Sequence, residues 1–483
     1  MTRLNNKLIF YIIGMLLIFN GGAMIISTIV SFIFNDGVLK EIAFSAFITL
    51  LIGTLIMFFS KNNIRQINKR DGYLIVTIGW LTMVFSGILP YYFTSSINSF
   101  PNLFFETMSG YTTTGSTILN DIESLPESII FWRSMTHWLG GMGIIVLAIA
   151  ILPLLGIGGM QLFKTESYET PDKIIPRAAI FASGISFVYI SLTTLWALML
   201  WIAGMPIFDS ITHAMTTLAT GGYSTKSNSL GAFDSINIEI IITFGMIVGS
   251  LPFVHYLSIL KNGWKNLIKD EQVKWFILIL FFLVCIVTLN LYVNGLDFFS
   301  SLRVSMFNVV SIITGTGFGT DDFSKWGGFA TTLLLILMFM GGCAGSTTCG
   351  LRMARIQVLF ANAKTQISKL LTPHAVIVPY YNKKPIPDNV TESVMSFFFL
   401  YILVFIIISC LLGSLGLDFM TSLSGAASAI GNVGPGLGST IGPSGTYASI
   451  PDLGKIFLCL GMILGRLEIF AILVMFTSSF WKD

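Results

Sequence analysis

The chain has 483 residues, of which 54% are hydrophobic and 11% charged, with a formal net charge of +3 and a mean hydropathy of +0.81. Soluble domains carry about 25% charged residues, so the composition argues against a soluble enzyme or a nucleic-acid-binding module. Repeated apolar runs of about 20 residues define a polytopic helical membrane protein, and the alternating strands of a β-barrel are not visible.

The chain opens with the basic stretch "MTRLNNK" and an apolar run from Leu8 to about Phe34. That run is too long for a signal-peptide core and has no A-x-A site, so it reads as a retained span. Further apolar segments cover roughly 40–60, 72–95, 128–155, 179–204, 236–260, 274–294, 327–360, 391–413 and 453–480. One set of linkers between them is basic: 61–70, 156–178, 261–274 and 351–390, which with Arg3, Lys7 and Lys482 hold most of the 27 Lys and Arg. The positive-inside rule places these linkers, and both termini, in the cytoplasm.

Four other linkers each begin with a short, partly apolar stretch and end in a Gly/Thr/Ser cluster. They carry "PNLFFETMSGYTTTGST" (101–117), "PIFDSITHAMTTLATGGYST" (206–225), "GLDFFSSLRVSMFNVVSIITGTGFGT" (295–320) and "GLDFMTSLSGAASAIGNVGPGLGS" (416–439). The pattern is a fourfold repeat of span, short helix, glycine-containing loop and span. The expected fold is an all-α polytopic membrane protein: an N-terminal pair of transmembrane helices (1–70), then repeats at 71–160, 161–262, 263–370 and 371–483 around one pore.

The short helices reach only part way through a hydrocarbon core of about 30 Å. Non-helical backbone at that depth must be buried in protein or line a water-filled path. Rings of main-chain carbonyls can replace the hydration shell of a cation, as in the TVGYG filter of potassium channels. Aligned on that sequence, "NVGPG" and "GTGFG" place Gly434 and Gly317 at its first glycine, "TTGST" places Gly115 and "TGGYS" places Gly222. Which carbonyls face inward is not fixed by spacing.

With this register, "SGYTTTGST", "ATGGYST", "TGTGFGT" and "GNVGPGLG" resemble the four degenerate filters of the Trk/Ktr/HKT potassium-transporter superfamily. The length and the extra N-terminal pair look most like its bacterial TrkH/TrkG membrane subunits, and the resemblance covers almost the whole chain. It implies ion-binding filter positions at Thr113, Thr114 and Gly115, at Thr220, Gly221 and Gly222, at Gly315, Thr316 and Gly317, and at Asn432, Val433 and Gly434. In this superfamily a serine at the first filter glycine goes with sodium preference; with all four glycines present, the resemblance implies potassium. It further implies bacterial inner-membrane uptake, a homodimer, and a cytoplasmic TrkA-type ring that binds NAD(H) or ATP/ADP, with no cofactor on this chain. A sodium- or proton-coupled carrier with a midplane site is the alternative, and it calls for two inverted repeats rather than four parallel ones.

"MGGCAGSTTCGLR" (340–352) interrupts the third repeat's second span. It reads either as a small-residue packing kink or, as in TrkH-like proteins, as a gating loop beneath the filter that contains Gly341, Gly342, Gly345, Ser346, Thr347, Thr348 and Gly350. Such a loop should have low local stability. Arg466 lies in an apolar run, where a charge costs about 2.5–3.5 kcal/mol on insertion scales. It reads as half of an ion pair, with Glu468 or another acid, or as a cation facing the pore; an arginine occupies this place in TrkH relatives, and the two readings are compatible. Glu106 is expected to be a buried hydrogen-bond partner or a source of negative field, and Asp121, Glu123, Asp321 and Asp322 solvated loop charges. The cysteines at 285, 343, 349, 410 and 459 look like small buried hydrophobes. The histidines at 137, 213, 255 and 374 are scattered, and no catalytic constellation is visible.

Overall fold

The computed structural model describes residues 4–60, 68–147, 174–382 and 384–481. Arg3, Lys61, Arg65, Lys164, Lys173 and Lys482, the end of the first repeat's second span and the expected boundary at 160 lie outside the described residues. The described chain is mostly helical. Among the described residues the exceptions in strand form are Tyr380–Tyr381 and Lys384–Pro385, paired antiparallel.

Among the described residues, six helices are long and apolar enough to cross a membrane: Asn6–Phe34, Leu39–Ser60, Lys69–Phe93, Ala182–Ile202, Glu271–Val293 and Asp388–Ser414. Fully apolar side chains such as Phe32, Phe58 and Phe59 stand on their outer surface, as lipid-facing positions should. The first two helices form a close pair. A Cβ added to Gly14 would sit 2.8 Å from the Gly53 carbonyl oxygen, and one on Gly53 3.0 Å from that of Gly14. Small residues at such a crossing let helix backbones touch in lipid.

The remaining four long helices each lead into a short one: Phe100–Tyr111, Ile207–Leu218, Phe298–Ile313 and Phe419–Gly431. Local chemistry starts them. The Ser99 hydroxyl accepts from the Asn102 amide, the Asp297 carboxylate from Phe299 and Ser300, and that of Asp418 from Thr421, satisfying amides that have no intrahelical partner. Each short helix runs into an irregular loop and then a second, inner helix.

Two inner helices differ from the sequence reading. The segment 236–260 was expected to run on as one span; it is Ile236–Gly249 followed by Phe253–Asn262, bent by 96°. Pro252 lies in the break, where its missing N–H ends the ladder. The segment 453–480 breaks at Glu468, whose φ is 72°, into Asp452–Leu467 and Ile469–Phe476 at 108°. Both breaks are flanked by apolar residues, so hydropathy runs straight through them.

A buried polar chain ties the N-terminal pair to the first repeat. Tyr111 donates its hydroxyl to Asn20 (2.6 Å), and Asn20 donates to the Ser86 hydroxyl (2.7 Å). Tyr111→Phe leaves a buried amide oxygen unsatisfied, which costs about 1–3 kcal/mol; thermal unfolding in detergent should show the loss, and an unchanged midpoint would dismiss the strut.

At one end of the bundle, Asp36 in the turn after the first helix accepts from the Ser128 amide (3.0 Å) and hydroxyl (2.5 Å), and from Ser31. Burial raises its pKa, but the bonds from Ser128 and Ser31 outweigh it and hold the carboxyl below its usual value. A lowered folded pKa adds stability that is present above the unfolded value and lost as pH falls through the folded one. Acidification below about pH 3.9 should therefore loosen this corner, and Asp36→Asn should remove that part of the pH dependence of unfolding.

Candidate functional site

The four short helices end alike. The residue two before the aligned glycine is left-handed in every loop: Thr113 (φ 51°), Thr220 (49°), Gly315 (66°) and Asn432 (53°). The next amide bonds back into the helix: Thr114 to the Ser109 carbonyl (2.9 Å), Gly221 to Thr216 (2.9 Å), Thr316 to Ser311 (2.9 Å) and Val433 to Ser428 (3.0 Å). This is a Schellman-type ending. The glycines follow, again at positive φ: Gly115 83°, Gly222 82°, Gly317 83° and Gly434 109°. The register set by alignment on TVGYG is therefore matched by one backbone pattern repeated in all four loops.

The loops close on one another in chain order. A Cβ on Gly115 would lie 2.2 Å from the Gly221 carbonyl oxygen, one on Gly222 1.9 Å from that of Thr316, one on Gly317 2.0 Å from that of Val433, and one on Gly434 2.7 Å from that of Thr114. Each glycine thus touches the main-chain oxygen of the next loop, and the fourth touches the first. A cavity of about 300 Å³ beside them is lined by all four glycines and by residues of the loops that follow, such as Asn120, Ser229 and Pro443.

Within the ring, the carbonyls of Thr113, Thr114, Gly115, Thr220, Gly221, Gly222, Gly315, Thr316, Gly317, Asn432 and Val433 receive no hydrogen bond from any described residue. Most of these residues are buried. Buried carbonyls are normally paired, because leaving one bare costs free energy. A set of them lying where four helix C-termini end, each with partial negative charge, has the oxygen-donor chemistry that a cation site requires.

Polar side chains brace the segments that leave the ring. Glu106 accepts from the Ile118 amide (3.0 Å), the Thr117 hydroxyl (3.0 Å) and Arg133 Nε (3.0 Å). His213 meets the Ser224 hydroxyl (2.9 Å), and Asn308 donates to Thr320 (2.9 Å). Glu106 is thus one half of a fully buried ion pair with Arg133. Arg133 also donates to the Ser224 carbonyl (3.3 Å) and lies 4.1 Å over the Tyr223 ring. Sequence reasoning passed over Arg133 and Tyr223; the aromatic directly after a filter glycine was the available signal for Tyr223. Among the outer acids, Glu123 accepts from the Ser227 amide (3.0 Å) and Asp321 from Trp326 Nε1 (2.7 Å). Asp121, Glu123 and Asp321 are exposed loop charges, as expected, and Glu123 and Asp321 also brace their loops.

Beneath the ring, residues 341–350 are irregular and buried throughout. The looseness expected of them is not what the bonding shows. The loop is held in cis by Gly341 N–H to the Leu351 carbonyl (3.0 Å), and across repeats by Cys343 to Ser250 (2.9 Å), Phe253 to Gly345 (3.0 Å) and Thr347 to Gly249 (3.2 Å). The break in the second inner helix is what frees those partners. Thr220 donates its hydroxyl to Thr347 (3.1 Å), joining the loop to the ring.

Arg466 is buried beside them. It donates to the Thr347 carbonyl (2.9 Å), Cys349 Sγ (2.8 Å) and the Gly140 carbonyl (2.8 Å), and no carboxylate pairs with it among the described residues. Glu468, offered above as its partner, instead pairs with Arg355 (2.5 Å) and Arg352 (3.8 Å). Cys349 is therefore a hydrogen-bond partner and not merely a small hydrophobe, and Cys410 is exposed. Among the described residues no group of His, Cys, Asp or Glu is arranged to hold a metal ion.

Four short helices aimed at a closed ring of bare carbonyls, inside a polytopic helical membrane protein, define a cation-conducting class of fold. The comparisons agree: a family model described as TrkH, cation transport protein, matches residues 39–482, and the chain belongs to that family. It is 41% identical over 85% of its length to the Trk system potassium uptake protein TrkI of Halomonas elongata, covering 84% of that protein. It is 37% identical to the Trk system potassium uptake protein TrkH of Escherichia coli K12, over 98% of both chains. Among solved structures, the crystal structure of the potassium transporter TrkH from Vibrio parahaemolyticus superposes with a TM-score of 0.91 at 34% identity, covering 99% of each chain.

Proposed function

We propose that this chain carries potassium into bacteria across the inner membrane, through a selectivity filter formed by Thr113, Thr114, Gly115, Thr220, Gly221, Gly222, Gly315, Thr316, Gly317, Asn432, Val433 and Gly434. The observation that carries this reading is the ring of buried carbonyls without donors, which a dehydrated cation would satisfy. Potassium is the ion named for relatives that match over nearly the whole chain. Each filter loop belongs to one repeat, at 71–160, 161–262, 263–370 and 371–483, behind the two-helix unit 1–70.

The loop at 341–350 together with Arg466 forms the gate. A positive charge without a carboxylate partner, directly beneath the ring, supports that role. Both termini are cytoplasmic, two copies associate, and a cytoplasmic TrkA-type ring binding NAD(H) or ATP/ADP acts on the helix Met353–Leu371. That helix begins where the loop ends and exposes Lys364 and Lys369.

The test is ion flux through purified protein in liposomes. Potassium flux should exceed sodium flux, with unitary currents above about 10⁶ ions per second, which conformational steps of microseconds to milliseconds cannot support. Equal fluxes, or turnover only at carrier rates, would favour the sodium- or proton-coupled carrier. The two broken inner helices are the feature that such a carrier would use.

A further inference from the structure

The ring is not equivalent at its fourth position. The carbonyl of Gly434 accepts from the hydroxyls of Ser116 (2.8 Å), Ser428 (2.9 Å) and Tyr447 (2.9 Å), whereas those of Gly115, Gly222 and Gly317 accept from no described residue. Ser428 also takes the Gly434 amide (3.1 Å). The backbone departs accordingly, with φ at 109° against 82–83° for the other three glycines. Gly434 is also buried, where the others are half-buried.

The residue after each glycine explains the asymmetry. Repeats two and three place buried aromatics there, Tyr223 and Phe318, whereas repeats one and four have Ser116 and Pro435. At the seam between repeats four and one the space is filled from outside, by Tyr447. Its amide donates to the Thr117 carbonyl (2.8 Å) and its ring centroid lies 5.3 Å from that of Phe105. The next residue, Ala448, is anchored through its carbonyl by buried Lys455 (3.1 Å). A carbonyl oxygen has two lone pairs. With three hydroxyls around it, the Gly434 oxygen has no capacity left to replace water on a cation.

We infer that the Gly434 carbonyl is withdrawn from the ion, so that at the glycine level the filter offers three carbonyls and not four. Ser116, Ser428 and Tyr447 are the positioning residues that hold it back. This rests on the filter reading above. An ion at that level keeps a water molecule on its fourth-repeat side and is bound less tightly than a symmetric ring would bind it.

The experiment compares wild type, Tyr447→Phe, Ser116→Thr and the Tyr447→Phe/Ser116→Ala double variant in liposomes. It reads half-saturating potassium and the potassium-to-sodium flux ratio at matched amounts of folded protein. Freed of two hydroxyls, the carbonyl should turn to the axis. Half-saturating potassium should then fall by about two- to tenfold, the equivalent of one hydrogen bond's net contribution, and the flux ratio should rise. Ser116→Thr keeps the hydroxyl and should behave as wild type, which a purely structural role for the seam does not require of these two readings.

If the double variant does not fold, Tyr447→Phe alone carries the test, with a smaller fall. A folded variant with wild-type half-saturation and ratio, or with weaker potassium binding, overturns the inference. So does a potassium-loaded structure with the Gly434 oxygen among the ion's ligands. Failure of the wild type itself to pass potassium would count instead against the proposed function.

Discussion

Replacing Gly222 by serine should cost this protein its preference for potassium over sodium by about tenfold or more, a change of about 1.4 kcal/mol in relative ion binding. The reason is geometric. At φ 82° a side chain is strained by about 1–3 kcal/mol, and the new Cβ would lie 1.9 Å from the Thr316 carbonyl oxygen. That oxygen must move by more than an ordinary thermal displacement, and it is one of the ring's own carbonyls. Gly115 and Gly317 are as tight, at 2.2 and 2.0 Å, whereas Gly434 has 2.7 Å, so serine there should do the least. The measurement is the potassium-to-sodium flux ratio of each folded variant. Wild-type ratios in all four would remove the ring from the selectivity mechanism.

The second large effect should come from Arg466. A cation passing at about 5 Å from a guanidinium, at an effective dielectric near 20, meets a repulsion of about 3 kcal/mol, worth about two orders of magnitude in flux. Arg466 also holds the Thr347 and Gly140 carbonyls, so its charge and its hydrogen bonds must be separated. Arg466→Gln retains donors and removes charge, and Arg466→Ala removes both. A charge barrier predicts raised flux in both without the regulatory partner. A strut predicts loss of thermal stability in Arg466→Ala alone, with flux unchanged in Arg466→Gln. Deletion of 343–349 extends the test. A folded deletion protein should conduct with little dependence on the partner, and one that stays shut until the partner acts would dismiss the loop as gate. The loop's many main-chain bonds to Ser250, Phe253 and Gly249 mean that opening must move the broken second inner helix as well.

Much of this architecture could be read from the sequence because its signals are local. Apolar runs give the spans, and four Gly/Thr clusters at similar spacing give the loops. The alignment on TVGYG gives a register whose positive-φ pattern recurs at Thr113/Gly115, Thr220/Gly222, Gly315/Gly317 and Asn432/Gly434. What escaped was pairwise and distant. Nothing near Glu106 announces that Arg133 will neutralise it, nor near Glu468 that Arg355 will take it from Arg466. Tyr447 lies in an outer loop, and its role appears only once repeat four is folded against repeat one. The helix breaks escaped for another reason: a bend between two apolar stretches leaves hydropathy unchanged, and its partners are main-chain groups that composition does not record.

The contact that closes the ring joins the two ends of the repeated region. Ser116 and Gly434 are 318 residues apart, as are Thr114 and Asn432, whereas the tight contacts of Gly115, Gly222 and Gly317 each reach the next loop in the chain. During synthesis, a chain that has delivered three repeats to the bilayer still has one wall missing, with the Thr114 carbonyl facing no glycine. The ring stays open until the last repeat arrives, when its fourth side and the Arg466 bond to the Thr347 carbonyl are completed together.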